Sequence, residues 1–396
     1  MNRQFLSAAL TLSLFTSACG SDDETDQVAA ATPGFAVATR SQVSGANDLA
    51  VVVGFTDDLA AGELDLTNSI EVGGQGTMHG LDGTGEFYIS RGEDLTLTKY
   101  RFAEGTLEIV DRLSLTQEVS ILGVELMVFD GPDRAYLLLA TEGKGFELNL
   151  ESMEIVDRLD LTALLDPTQP TFMNSIGVTR GNETVAVTYA TDASQETVSN
   201  ESKIVFFDPT DGTLDIRDAP CGGLTYNMAA SNGDLYFASD PWVAGINAID
   251  PTRAPAPCLV RVAANSRDPD PNPIMLNDLT GGPTGGLIPV GDSSILVRVL
   301  DTDIFPLTDT ATGFQAFGTP AWDTWSVDLT NPTGAAPLDR SPVAGAILFF
   351  VIDGEVYEND TAVDFSSTTF VRTTGPGAPE NGLVAAGIPL SVVRLR

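Results

Sequence analysis

The hexapeptide Glu108-Ile109-Val110-Asp111-Arg112-Leu113 recurs letter for letter as Glu154 to Leu159, 46 residues later. A fixed period of about 40 to 50 residues is the signature of propeller-type repeats, in which each unit is a four-stranded sheet. Around each copy a strand ends in a polar residue, a turn follows, and a second strand begins with Thr, Leu or Met. The clearest instance runs Ile204-Val205-Phe206-Phe207-Asp208-Pro209-Thr210-Asp211-Gly212-Thr213-Leu214-Asp215-Ile216. Aromatic and β-branched residues lead up to Asp208, Asp-Pro and Asp-Gly turn the chain, and a new strand starts at Thr213. Weaker versions end near Val53, Arg101, Asn149, Asp250, Asp328 and Arg372, giving seven hairpin marks between residues 50 and 375.

Further short strands fill the gaps: Glu86 to Ser90, Ala135 to Ala140, Thr184 to Tyr189, Asp234 to Ser239, Ser294 to Leu300 and Ile347 to Ile352. No segment keeps a 3.6-residue period over twelve residues, and Asp82-Gly83, Asn232-Gly233 and Asp353-Gly354 mark tight turns. The expectation is an all-β chain, a β-propeller of seven blades, with six or eight as the alternatives. It forms one domain over 34–396. The strand-like ends Phe35 to Arg40 and Leu390 to Leu395 share a blade, which closes the ring and removes free sheet edges.

Ahead of this domain, Arg3 precedes an apolar run from Phe5 to Phe15 that ends in Thr16, Ser17 and Ala18. This is the anatomy of a secretory signal, and Cys19 directly after it is the layout of a bacterial lipoprotein. Residues 1–18 then form the signal peptide. Residues 19–33 form the lipidated cysteine and a flexible acidic tether, and the membrane is a partner through the anchor. The expected location is the cell envelope, as an outer-membrane lipoprotein facing the periplasm or the surface.

The formal charge is −35, from 55 acidic and 20 basic residues. Such a chain repels phosphate backbones, so nucleic acid is not a partner. With Cys19 lipidated, Cys221 and Cys258 remain, and an even pair in an exported protein reads as a disulfide. The chain-entropy model gives about 3–4 kcal/mol for the loop it would close.

Catalytic signatures are sparse. His79 is the only histidine and lies in a Gly-rich stretch, Gly73 to Gly80, read as a turn without a nucleophile motif. A histidine-rich metal site is thereby excluded, and no cofactor is expected. Asp268 and Asp270, and Asp301 and Asp303, are the densest oxygen-donor pairs and the weak candidates for calcium. Trp322 and Trp325 lie three apart, so on a strand they face opposite sides, one toward the core. Trp242 follows a strand and sits on a loop, where propellers present binding residues.

Several segments, taken in order, resemble a family of bacterial lipoproteins found with myxochelin siderophore biosynthesis genes. They are Cys221-Gly222-Gly223-Leu224, Ala256 to Val262, Asp278 to Gly282, the Trp322/Trp325 segment, Tyr357-Glu358-Asn359-Asp360 with Ser367-Thr368-Thr369, and Val393 to Arg396. The resemblance implies a propeller-like exported protein associated with iron and siderophores, and it carries over no catalytic residue. The leading expectation is therefore a non-enzymatic binding module whose partner is a ferric siderophore or an outer-membrane receptor. An anionic, aromatic ligand of that kind calls for arginines and aromatic rings: Trp242, Trp322, Trp325, Arg91 and Arg298. The alternatives are a carboxylate- or calcium-dependent hydrolase or lyase, and a structural or adhesion module.

Overall fold

In the computed structural model, the described residues are 32–396 apart from 43–48, 74–75, 104–105, 124, 175, 292, 309, 363 and 374–379. Cys19, the signal peptide and the tether to residue 31 lie outside them. The repeated hexapeptide forms the outermost strand of two neighbouring sheets, Thr106–Ser114 and Glu154–Asp160. In both strands the register slips at the same letter, so Val110 and Val156 have no cross-strand partner. The two valines bulge outward, 39% and 60% exposed. The Asp that follows accepts from the next backbone N–H in each copy, at 2.7 Å for Asp111 and 2.8 Å for Asp157. A bulge twists an edge strand away from further pairing, so the repeat encodes the same blunted rim twice.

Seven antiparallel sheets follow in ring order; six have their first strand innermost, and in the remaining one, the first, the chain's last strand takes that place. The first is completed by the chain's last strand: Ile388–Arg394 pairs with Phe35–Gln42, with Ala36 opposite Val393. The expected closure is what holds the ring shut. The second sheet runs from Gly76 to Ser114, the third from Leu126 to Asp160 and the fourth from Thr171 to Asp218. The fifth runs from Leu224 to Met275, the sixth from Thr284 to Pro337 and the seventh from Phe349 to Ala386. One apolar layer fills each junction between neighbours. Leu97, Leu137 and Phe146 pack between the second and third sheets, and Val187, Phe206 and Phe237 between the fourth and fifth.

Six of the seven hairpin marks fall at the turn between a third and a fourth strand. The mark near Asp250 does not. That residue ends a helix, α1 (Pro241–Ile249), and the third strand of the fifth sheet is Cys258–Val262. Asp240 and Pro241 start α1 because an Asp accepts the first free N–H and Pro suits the first helical position. The stretch around His79 is likewise not a turn, since Gly76–Gly80 is the innermost strand of the second sheet.

Strand direction sorts the connections onto two faces. On one, the mouth, each second strand passes to its third and each fourth strand to the next sheet. On the other, the floor, lie the first-to-second and third-to-fourth hairpins. The mouth is uneven. The second-to-third connections are short at 92–95 and 140–143, but long at 191–202, 240–257 and 301–321. The long ones carry α1 and, beyond the short helix α2 (Leu276–Thr280), α3 (Gly313–Gly318). Gly34 enters from the floor, where Asp57 holds both its N–H (3.1 Å) and the Arg396 guanidinium (2.7 Å).

Candidate functional site

The long connections are stitched into one wall over the fourth to sixth sheets. The Glu196 carboxylate pairs with Arg253 and accepts from the N–H groups of Gly313 (3.0 Å) and Phe314 (3.3 Å) at the start of α3. Cys221 and Cys258 are joined, which ties the entry of the fifth sheet to the base of the α1 connection. Under the two helices Trp322 is wholly buried, and its indole N–H donates to the Ala316 carbonyl at 2.8 Å.

At the foot of this wall, half-buried rings gather round one buried carboxyl. Phe172 and Tyr189 of the fourth sheet stack with centroids 5.6 Å apart. Tyr226, on the innermost strand of the fifth sheet, reaches past the sixth sheet to the entry of the seventh. There its hydroxyl donates to the Ile347 carbonyl at 2.9 Å, and its ring lies 6.5 Å from that of Phe349. The sixth sheet allows this because Gly285 and Gly286 stand where any side chain would collide. A Cβ on Gly285 would meet the Asp240 carbonyl at 2.6 Å, and one on Gly286 would meet Ile347 at 2.0 Å. Gly286 also has φ of +88°, a left-handed region that glycine tolerates.

Asp240 is 8% exposed, caps α1 through the Trp242 N–H at 2.8 Å, and lies beside the Tyr226 hydroxyl. Burial raises its carboxyl to about 6, against the hydrogen bonds that favour the ionised form. Burial pushes Tyr189 up to about 12 and Tyr226 well above the usual phenol range. These rings therefore act as neutral hydroxyls. The site combines apolar faces, the neutral Tyr189 hydroxyl and one carboxyl raised to about 6.

A second buried pair lies nearer the second and third sheets. His79 Nε2 is 3.0 Å from Glu125 Oε1, and Glu125 is fully buried. Burial alone would raise Glu125, yet the hydrogen bond and charge of His79 hold it below the ordinary value. This pair fastens one blade to the next.

The residues singled out in the sequence are dispersed. Trp242 is half-buried on the first turn of α1, against Gly313, so it and Trp322 share the wall. Trp325 faces the other way and packs in the layer between the fifth and sixth sheets, so neither strand tryptophan faces the mouth. Arg298 is 3% exposed and pairs with Glu358, which Arg340 also approaches at 3.3 Å. Burial alone would raise Glu358, but the two guanidiniums hold it low. Arg298 is thus a brace between the sixth and seventh sheets, not an open anion ligand. Arg91 is on the mouth face of the second sheet, 3.8 Å from Asp94. The acidic pairs lie on opposite faces. On the floor, Asp268 is 3.3 Å from Arg217 and Asp270 accepts the Asn272 N–H; at the mouth, Asp301 accepts the Asp303 N–H at 2.8 Å. Among the described residues no three acids, thiols or imidazoles converge to hold a metal.

No protein-family model and no curated protein sequence matches the chain. Solved structures do. A proposed 6-phosphogluconolactonase from Bacteroides fragilis superposes with a TM-score of 0.55 at 10% identity, over 94% of this chain and 99% of that one. A periplasmic gluconolactonase from Pseudomonas aeruginosa gives 0.53 at 11% identity, over 91% and 99%. A second proposed 6-phosphogluconolactonase, from Bacteroides uniformis, gives 0.51 at 9% identity, over 90% and 98%. The chain is a seven-bladed β-propeller.

Sequence reasoning missed Tyr189, Tyr226, Phe172 and Phe349 because each reads as one more aromatic in a strand. Two signals pointed toward the site. Asp240-Pro241 after a strand is a helix start, and the Gly285-Gly286 pair inside a propeller strand marks a close backbone approach.

Proposed function

We propose that the protein is an envelope-exposed binding module, tethered through Cys19, whose propeller mouth holds a small, ring-bearing, hydroxylated ligand. The carrying observation is the set of half-buried rings, Phe172, Tyr189, Tyr226 and Phe349, around the buried Asp240 carboxyl. Ring faces stack on the apolar side of a cyclic ligand while hydroxyls and the carboxyl take its polar edge. No helix among the described residues is long and apolar enough to cross a membrane, so attachment is assigned to the anchor.

A ferric siderophore is the less favoured ligand. A highly charged anion needs a cluster of cations without carboxylate partners, and Arg91 and Arg298 are both paired. A thermal-shift screen of sugars, sugar lactones, hydroxy acids and ferric catecholates tests the choice. A cyclic hydroxylated compound should raise the melting temperature of the wild type and not of Tyr189→Ala. Stabilisation by ferric catecholates alone would overturn the reading.

Asp240 favours one second reading. A buried carboxyl raised to about 6 can act as a general acid or base, and the three similar folds are named for lactone hydrolysis. Turnover of a cyclic ester with an apparent pKa near 6, lost in Asp240→Asn, would make the site an enzyme. Binding without turnover keeps it a module.

A further inference from the structure

Of the three lysines, Lys99 pairs with Glu86 at 3.0 Å and Lys144 with Glu142 at 3.3 Å. Lys203 alone has no carboxylate within ion-pair distance among the described residues. In a chain of net charge −35 that ammonium is an exception. It lines a shallow cleft on the mouth face, open to solvent, between the third and fourth blades. Asp166, Thr171, Thr188, Tyr189 and Glu201 line it too, so Tyr189 is shared with the ring cluster beside Asp240.

The donors are available in this geometry. Lys203 Nζ gives one proton to the Ala163 carbonyl, which leaves two for a ligand. Asp166 is engaged elsewhere: its oxygens accept from Thr168, Gln169 and Ser199 and brace two mouth loops. The Thr171 hydroxyl accepts the Asp166 N–H and keeps its own proton to donate. Glu201 is exposed at the rim, where it can accept ligand hydroxyls.

We infer that this cleft seats the carboxylate of a small hydroxylated acid, a sugar acid or hydroxy acid, on Lys203, with the carbon skeleton lying over Tyr189. The inference rests on the small-ligand reading above and adds the charge of the ligand. The protein's overall negative field does not forbid it. Exposed charges beyond about 8 Å are largely screened at physiological salt; of the two carboxylates in the cleft, Asp166 is held by the Thr168, Gln169 and Ser199 donors and Glu201 stands in solvent, while the ammonium–carboxylate contact acts at hydrogen-bond range.

Calorimetric titration of the full chain with three matched pairs tests it: galacturonate and galactose, glucuronate and glucose, lactate and glycerol. At least one acid should bind the wild type about tenfold more tightly than its neutral partner. Lys203→Met should bind both members of that pair equally, and Lys203→Arg should restore the preference. Unchanged melting of both variants shows that the fold is intact. Equal binding of acid and neutral partner by the wild type, or a preference kept in Lys203→Met, overturns the inference and leaves the small-ligand reading standing. Binding of none of the six overturns both.

Discussion

The second and third blades and the fourth to sixth blades are built on one plan and finished differently. The first two share a hexapeptide, a bulge at the same letter and short connections at 92–95 and 140–143. The other three carry the wall: connections of irregular length, α1 and α3, the Cys221–Cys258 bond and the buried Asp240. Where blades are interchangeable, the chain repeats itself, because stacking requires only a bulged edge and an apolar layer. Where the mouth is shaped, repetition stops. The binding site is accordingly assigned to the blades that break the period.

The comparison is sharpest at the wall's core. Trp322→Ala empties a fully enclosed site beneath both helices and should cost about 3–5 kcal/mol in denaturant unfolding. A loss below about 1 kcal/mol would show the wall to be an ornament on the ring. Replacing both Cys221 and Cys258 by Ser should cost about 3–4 kcal/mol, with the loss concentrated in hydrogen-exchange protection of the fifth blade.

Asp240→Asn should act with the opposite sign. The unfolded carboxyl titrates near 3.8 and the folded one at about 6, so the penalty for burying it grows as pH rises through that window and is complete above it. Asparagine caps a helix as well as aspartate does. The variant should therefore gain about 2 kcal/mol on the wild type between pH 4.5 and pH 7.5, read from parallel denaturation curves. A gain independent of pH would remove the buried charge from the account. Least affected should be Val156→Lys on the bulged rim, within about 0.5 kcal/mol of the wild type in the same assay.

The ring itself was legible because its signals are local and recur. The 46-residue echo, the Asp208-Pro209 and Asp211-Gly212 turns and the strand-like ends each report on a few adjacent residues. The Asp250 mark failed because a strand-ending Asp and a helix-ending Asp look alike when the helix is nine residues long. Arg298 misled for a different reason. A lone arginine among alternating apolar residues reads as an exposed cation, and only the register that sets the sixth blade beside Glu358 of the seventh shows it neutralised. Tyr226 was out of reach in the same way, since its partner Ile347 lies two blades further on.

The most direct test compares the two regions in one experiment: hydrogen exchange of the full chain with and without a ligand taken from the thermal-shift screen. Slowed exchange should fall on 171–190, 224–240 and 347–349, with the outer strands 106–114 and 154–160 unchanged. Protection centred on those outer strands, with the mouth unchanged, would contradict the account.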